Sequence, residues 1–162
     1  MRQRMSSHLI GDSPHLTKKV KIMYVKDYMQ AIIITVSPHD TLSVARQMMD
    51  DLYIRHLPVV HEGKLVGIVT DRDLRQASSP SQGHAMDRPY GDGCHGMRVS
   101  DMMTQQLYIV SPDTALVEAA ATLLEQKIDG LPVVDEAGVL KGLLTVTDFV
   151  RVYVEQHDSI IF

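Results

Sequence analysis

The chain has 162 residues, 44% hydrophobic and 22% charged, with no Trp and only two Phe. That composition supports an aliphatic, Met-filled core and excludes disorder of the whole chain. A formal net charge of −4 excludes a general nucleic-acid surface, which needs a clustered positive field, though it leaves room for a local basic pocket. No apolar run approaches a membrane span, and the stretch after Arg2 and Arg4, with Gly11, Asp12 and Pro14, lacks the apolar core of a signal peptide. The lone Cys94 cannot staple the chain to itself. The expected compartment is the cytoplasm, with neither nucleic acid nor membrane as partner.

In chain order, residues 1–20 are polar and irregular, either disordered or an arm packing on a partner chain. A short strand is expected over 32–36, followed by a Ser-Pro turn and a helix with Thr41 or Asp40 as N-cap and apolar positions 42, 45, 49 and 52 on one face. Two apolar runs, 57–60 and 65–69, flank His61-Glu-Gly63 and read as a hairpin. A last helix begins near Asp71 or Asp73. Residues 77–98 are rich in Ser, Gly, Pro and His without periodicity and read as a linker or mobile loop.

The same order then recurs. Val25-Lys-Asp-Tyr-Met29 matches Val99-Ser-Asp-Met-Met103, Thr35-Val-Ser-Pro38 matches Ile109-Val-Ser-Pro112, and Leu57-Pro-Val-Val60 matches Leu131-Pro-Val-Val134. All share an offset of 74 positions, which one residue inserted near Ala137 raises to 75, pairing Gly67-Ile-Val-Thr70-Asp-Arg-Asp73 with Gly142-Leu-Leu-Thr145-Val-Thr-Asp148. The second copy predicts a strand over 107–110, a helix capped by Asp113 or Thr114 with apolar positions 116, 119, 123 and 124, and a hairpin of 131–134 and 140–144. Its closing helix starts near Thr147 and presents Phe149, Val152 and Tyr153. Each unit is β-α-β-β-α and leaves one apolar sheet face to bury. The expected fold is therefore α/β (α+β), with repeats at 21–76 and 99–155 paired by pseudo-twofold symmetry into one compact module with a central cleft.

A start of the form Val-x-Asp-x-Met, a Ser-Pro-x-x-Thr-Leu helix start (Ser-Pro-Asp-Thr-Ala-Leu in the second copy), a Leu-Pro-Val-Val strand and a Gly-h-h-Thr-x-x-Asp ending, met in the same order twice, resemble the cystathionine β-synthase (CBS) domain. The likeness covers 25–74 and 99–150, and the organisation is similar to small CBS pairs, including those of acetoin-utilisation type. The resemblance implies a cleft with two symmetry-related pockets for adenosine compounds such as AMP, ADP, ATP, diadenosine polyphosphates or S-adenosylmethionine, acting as regulatory ligands with no obligatory cofactor. It assigns the ribose to Asp73 with Thr70 and to Asp148 with Thr145, a role that suits a carboxylate accepting from vicinal hydroxyls. Gly67 and Gly142 would let the ligand approach the backbone. Ile34, Thr35, Ile109, Pro58 and Pro132 would wall the adenine, and Arg55, His56 and Arg72 would meet phosphate. The second copy departs from the pattern with Ile128-Asp129-Gly130, an acid replacing the base, which sets the two pockets apart. The family also implies a flat homodimer of two modules and, for this chain, a separate effector protein.

Each of these residues has a purely structural role open to it. Asp73 and Asp148 can cap helices, Arg55 and His56 can be surface residues, the threonines can suit strand ends, and the glycines can serve turns. Cys94 with His95 and His84 lacks zinc spacing, so no metal is expected, and no P-loop, Gly-x-Gly-x-x-Gly or nucleophile elbow is present. Lys18-Lys19-Val-Lys21 reads as a solvated lead-in, and Met48, Met49, Met102 and Met103 read as core filler. The expected function is a ligand sensor that is not an enzyme. The alternatives are a scaffold with vestigial pockets and, more remotely, an enzyme using Asp129 near Asp148.

Overall fold

The computed structural model describes residues 22–77 and 96–157. The arm at 1–20, most of the segment at 77–98, and Cys94, His84 and His95 lie outside them. In the first copy, helix α1 (Leu42–Leu52) starts as expected, because Thr41 Oγ1 accepts from the Val44 N–H at 3.3 Å. Leu42, Ala45 and Met49 are buried, whereas Leu52 faces solvent beside Tyr53, which ends the helix in the left-handed region at φ 54°. Strands β1 (His56–His61) and β2 (Lys64–Thr70) pair antiparallel, joined by Glu62 and Gly63 with φ of 50° and 77°, the positive values a two-residue type I′ turn requires. Helix α2 (Asp71–Ala77) follows without a gap.

The second copy repeats this with α3 (Leu116–Gln126), β3 (Gly130–Val134), β4 (Leu140–Thr145) and α4 (Val146–His157). Three local expectations need correction. Neither Asp113 nor Thr114 caps α3: Ala115 holds the N-cap position, and Thr114 Oγ1 accepts from Ser111 N–H in the preceding turn instead. Leu124 and Tyr153 point outward, Leu124 being 79% exposed, so the buried faces are narrower than the periodicity suggests.

The third correction concerns the leading strands at 32–36 and 107–110, each of which shrinks to one bridge. Val36 pairs in parallel with Val59, donating to the Pro58 carbonyl and accepting from Val60 N–H; Val110 does the same between Pro132 and Val134. Extending either ladder would need an N–H from Pro58 or Pro132, and proline has none. The proline of each Leu-Pro-Val-Val segment thus stops the third strand, leaving Ile32–Ile34 free of the sheet.

The copies exchange their leading segments. The 3-10 turn Val25–Asp27 docks on the second copy, with Val25 and Lys26 N–H donating to the carbonyls of Thr114 and Pro112, and Val25 is buried with Leu131, Val133 and Leu144. Reciprocally Val99–Asp101 docks on the first copy, where Val99 and Ser100 donate to Asp40 and Pro38, and Val99 is buried with Leu57, Val59 and Val69. Each core is completed by the other copy's sequence. Gln30 then pairs with Leu143 on β4, and Thr104 with Ile68 on β2. As expected of core filler, Met49 is buried, and Met48, Met102 and Met103 pack against the first core.

Candidate functional site

The two copies meet where equivalent positions face each other. His56 and Gly130 occupy the same place in the repeat, and a Cβ on Gly130 would stand 3.1 Å from His56 Cδ2. Only a missing side chain on one copy lets the imidazole of the other be buried there, at 8% exposure. The ring's Nε2 lies 3.1 Å from Asp129 Oδ1. Partial burial raises the Asp129 carboxyl, but the hydrogen bond and charge of His56, helped by Arg55, outweigh it and hold the group below its ordinary range. The acid that replaces a base in the second copy is therefore the partner of the first copy's His56.

A cleft of about 250 Å³ opens at this joint. The first copy supplies Gln30, Ile32–Ile34 and Tyr53–His56; the second supplies Asp129, Leu143 and Thr145–Thr147. The truncated strand is what leaves the three isoleucines available as an apolar wall, with Ile32 92% exposed. Besides them the lining carries the Arg55 guanidinium, the His56 imidazole, the Asp129 carboxylate, the Gln30 amide and the hydroxyls of Tyr53, Thr145 and Thr147. It can hold a flat apolar group and fix a polar or anionic one.

Of the residues marked by the sequence, Ile34, Arg55, His56 and Thr145 come together here, across the copy boundary and not within one copy. Pro58 and Pro132 are buried in the sheets, where their carbonyls serve the Val36 and Val110 bridges. Gly67 and Gly142 are buried beneath thioethers: the space a Cβ would take is filled by Met103 and Met29. Thr35 and Ile109 are exposed and do not line the cleft. Thr70, Arg72 and Asp73 stand at the start of α2, and Asp148 lies just behind Thr145 with 1% exposure.

Asp73 and Thr70 form a full capping box, with Asp73 N–H donating back to Thr70 Oγ1 at 3.4 Å, whereas Asp148 supplies the carboxylate half of one. Asp73 Oδ2 accepts from Thr70 N–H at 2.8 Å and Thr70 Oγ1 at 2.7 Å. Asp148 Oδ2 accepts from Thr145 N–H and Oγ1, each at 2.8 Å. Asp148 does more, since its Oδ1 also accepts from Arg151 Nη1 at 3.1 Å and Gln30 Nε2 at 3.4 Å. Sequence reasoning missed Gln30 as a cleft residue, and met Asp129 only as a replaced base and a remote catalytic candidate, not as the partner of His56. The signal for Asp129 was present in the opposed pairs Arg55-His56 and Asp129-Gly130 at the repeat offset; nothing local marks Gln30. Among the described residues no three His, Cys, Asp or Glu side chains converge as a metal site, and no helix is long and apolar enough to cross a membrane.

Comparison with known proteins agrees with this architecture. The CBS domain family model matches residues 25–80 and again 99–155. An inosine-5′-monophosphate dehydrogenase of Korarchaeum cryptofilum is 38% identical over 148 residues, covering 91% of this chain but 27% of the relative, so the chain spans about a quarter of that enzyme's length. Among solved structures, the CBS domain pair of MJ0100 in complex with 5′-methylthioadenosine and S-adenosyl-L-methionine superposes with TM-score 0.72 at 27% identity, over 84% of this chain and 99% of that one. AcuB of Vibrio cholerae, named for acetoin utilization, gives 0.71 at 31% over 85% and 95%, and CBSX2 in complex with AMP gives 0.70 at 31% over 82% and 97%. With two matched copies, a shared fold and the reciprocal docking seen here, the chain belongs to the CBS domain family and carries a tandem pair of its domains.

Proposed function

We propose that this pair is a regulatory module of the cytoplasm that takes an adenosine compound in the cleft between its copies. One observation carries the reading: the cleft draws an apolar wall and Arg55 from one copy and the Thr145 and Thr147 hydroxyls from the other. A ligand touching both favours the arrangement in which those contacts coexist, so binding shifts the angle between copies. Ile32–Ile34 face the base, Arg55 takes an anionic group, and Thr145 and Asp148 take the ribose side. Thr70, Arg72 and Asp73 are the corresponding ribose and phosphate candidates of the first copy. That similar CBS pairs hold AMP, or 5′-methylthioadenosine and S-adenosyl-L-methionine, supports this ligand class. The role is read as regulatory, in keeping with the CBS domain model that matches both copies.

The same observations favour readout through assembly. Val117 and Leu124 on α3, with Val150 and Tyr153 on α4, are each more than half exposed and form an apolar face suited to a second copy of this module. Thermal unfolding with AMP, ADP, ATP, NAD and S-adenosylmethionine tests the ligand reading. At least one adenosine compound is expected to raise the midpoint, by about 2.7 kcal/mol of stabilisation at a hundredfold excess over Kd. Arg55→Ala should weaken the rise for the phosphate-bearing compounds. If no ligand moves the midpoint, the module is a scaffold with vestigial pockets.

A further inference from the structure

Gln30 lines the cleft, and its backbone is locked to Leu143 by paired bonds of 2.9 and 3.0 Å. Its exposed side chain reaches Asp148, with Nε2 donating to Oδ1 at 3.4 Å. An ionised carboxylate only accepts, so the amide nitrogen and not the amide oxygen faces it. The other oxygen of Asp148 is filled by Thr145, and Arg151 reaches Oδ1 from the same helix as Asp148. Gln30 is thus the donor that meets Oδ1 from among the cleft residues.

We infer that Gln30 is a placeholder for the ligand: its amide N–H stands in for a ribose hydroxyl, and a ligand reaches Asp148 only by displacing it. The inference rests on the adenosine reading of the cleft. Displacement is easy. The bond is near the limit of hydrogen-bond length, the released amide can be solvated, and the backbone need not move. Gln30 therefore sets affinity and not folding. The first copy has no such device, because Thr104, at the equivalent position, shares the backbone pairing with Ile68 but is too short to reach as far. Among the described residues Asp73 bonds only Thr70.

Isothermal titration of the full chain with AMP, 5′-methylthioadenosine and 2′,3′-dideoxyadenosine 5′-monophosphate tests this, comparing wild type with Gln30→Ala. The variant is expected to keep the wild-type melting midpoint without ligand, to bind AMP about fivefold tighter, and to show no gain for the dideoxy compound. AMP binding that is unchanged or weakened in Gln30→Ala overturns the placeholder while leaving the cleft reading intact. An equal gain for both compounds also overturns it, since the hydroxyls would then be irrelevant. If neither protein binds AMP or 5′-methylthioadenosine, the adenosine reading fails and takes the inference with it.

Discussion

Asp148→Ala is expected to cost about 3 kcal/mol of folding free energy, and the equivalent change in the first copy, Asp73→Ala, only about 1 kcal/mol. The two carboxylates share a motif but not an environment. Asp148 is 1% exposed and accepts from the Thr145 N–H and hydroxyl, Arg151 and Gln30. Its loss leaves the Thr145 donors, at 8% exposure, without partners, and such buried groups are costly to abandon. Asp73 is only half-buried and, among the described residues, serves Thr70 alone, so water can replace much of what it supplies. Urea unfolding measures the difference as a fall in midpoint at unchanged slope. Equal losses for the two variants would contradict the asymmetry.

The second large effect concerns the joint behind the cleft. Gly142→Ala is expected to destabilise by about 2 kcal/mol, because the new methyl would overlap Met29 Sδ, stand 2.9 Å from Met29 Cγ, and approach the Gln30 carbonyl oxygen at 3.2 Å. The thioether tip can rotate away. The carbonyl cannot, being tied to Leu143, so the leading segment must lift from β4. Adding Met29→Ala to Gly142→Ala should recover part of the loss, giving a double variant less destabilised than the sum of the single changes. Strict additivity would mean that the two residues do not share that space. Lifting Gln30 would also disturb the ligand wall, so the Gly142→Ala protein should lose ligand response along with stability.

Much of this was legible in the chain. The repeat offset, the Leu-Pro-Val-Val hairpins and the Thr41 cap follow from spacing and turn chemistry that act locally. The failures come from non-local competition. The leading strands look complete by composition, but their length depends on whether the neighbouring strand can donate, and Pro58 and Pro132 cannot. Thr114 is a good cap by type, yet the Ser111 turn takes its hydroxyl. Leu124 fits a helical stripe but belongs to a face that no element of its own chain covers among the described residues. At the site, the motifs identified Ile34, Arg55, His56 and Thr145 singly. Their convergence depends on how two similar units dock, and that is decided by the exchange of leading segments and by the His56–Gly130 contact. Asp129 shows the limit well: in sequence it is a missing base, and in space it is the partner of His56.

The most direct test of the central claim, that one ligand bridges the two copies, is amide chemical-shift mapping of the labelled protein during titration with AMP or 5′-methylthioadenosine. Saturable shifts are expected at Ile32–Ile34 and Arg55–His56 of the first copy together with Thr145–Thr147 of the second, all following one binding curve. Shifts confined to one copy, or clustered away from the cleft, would contradict the claim.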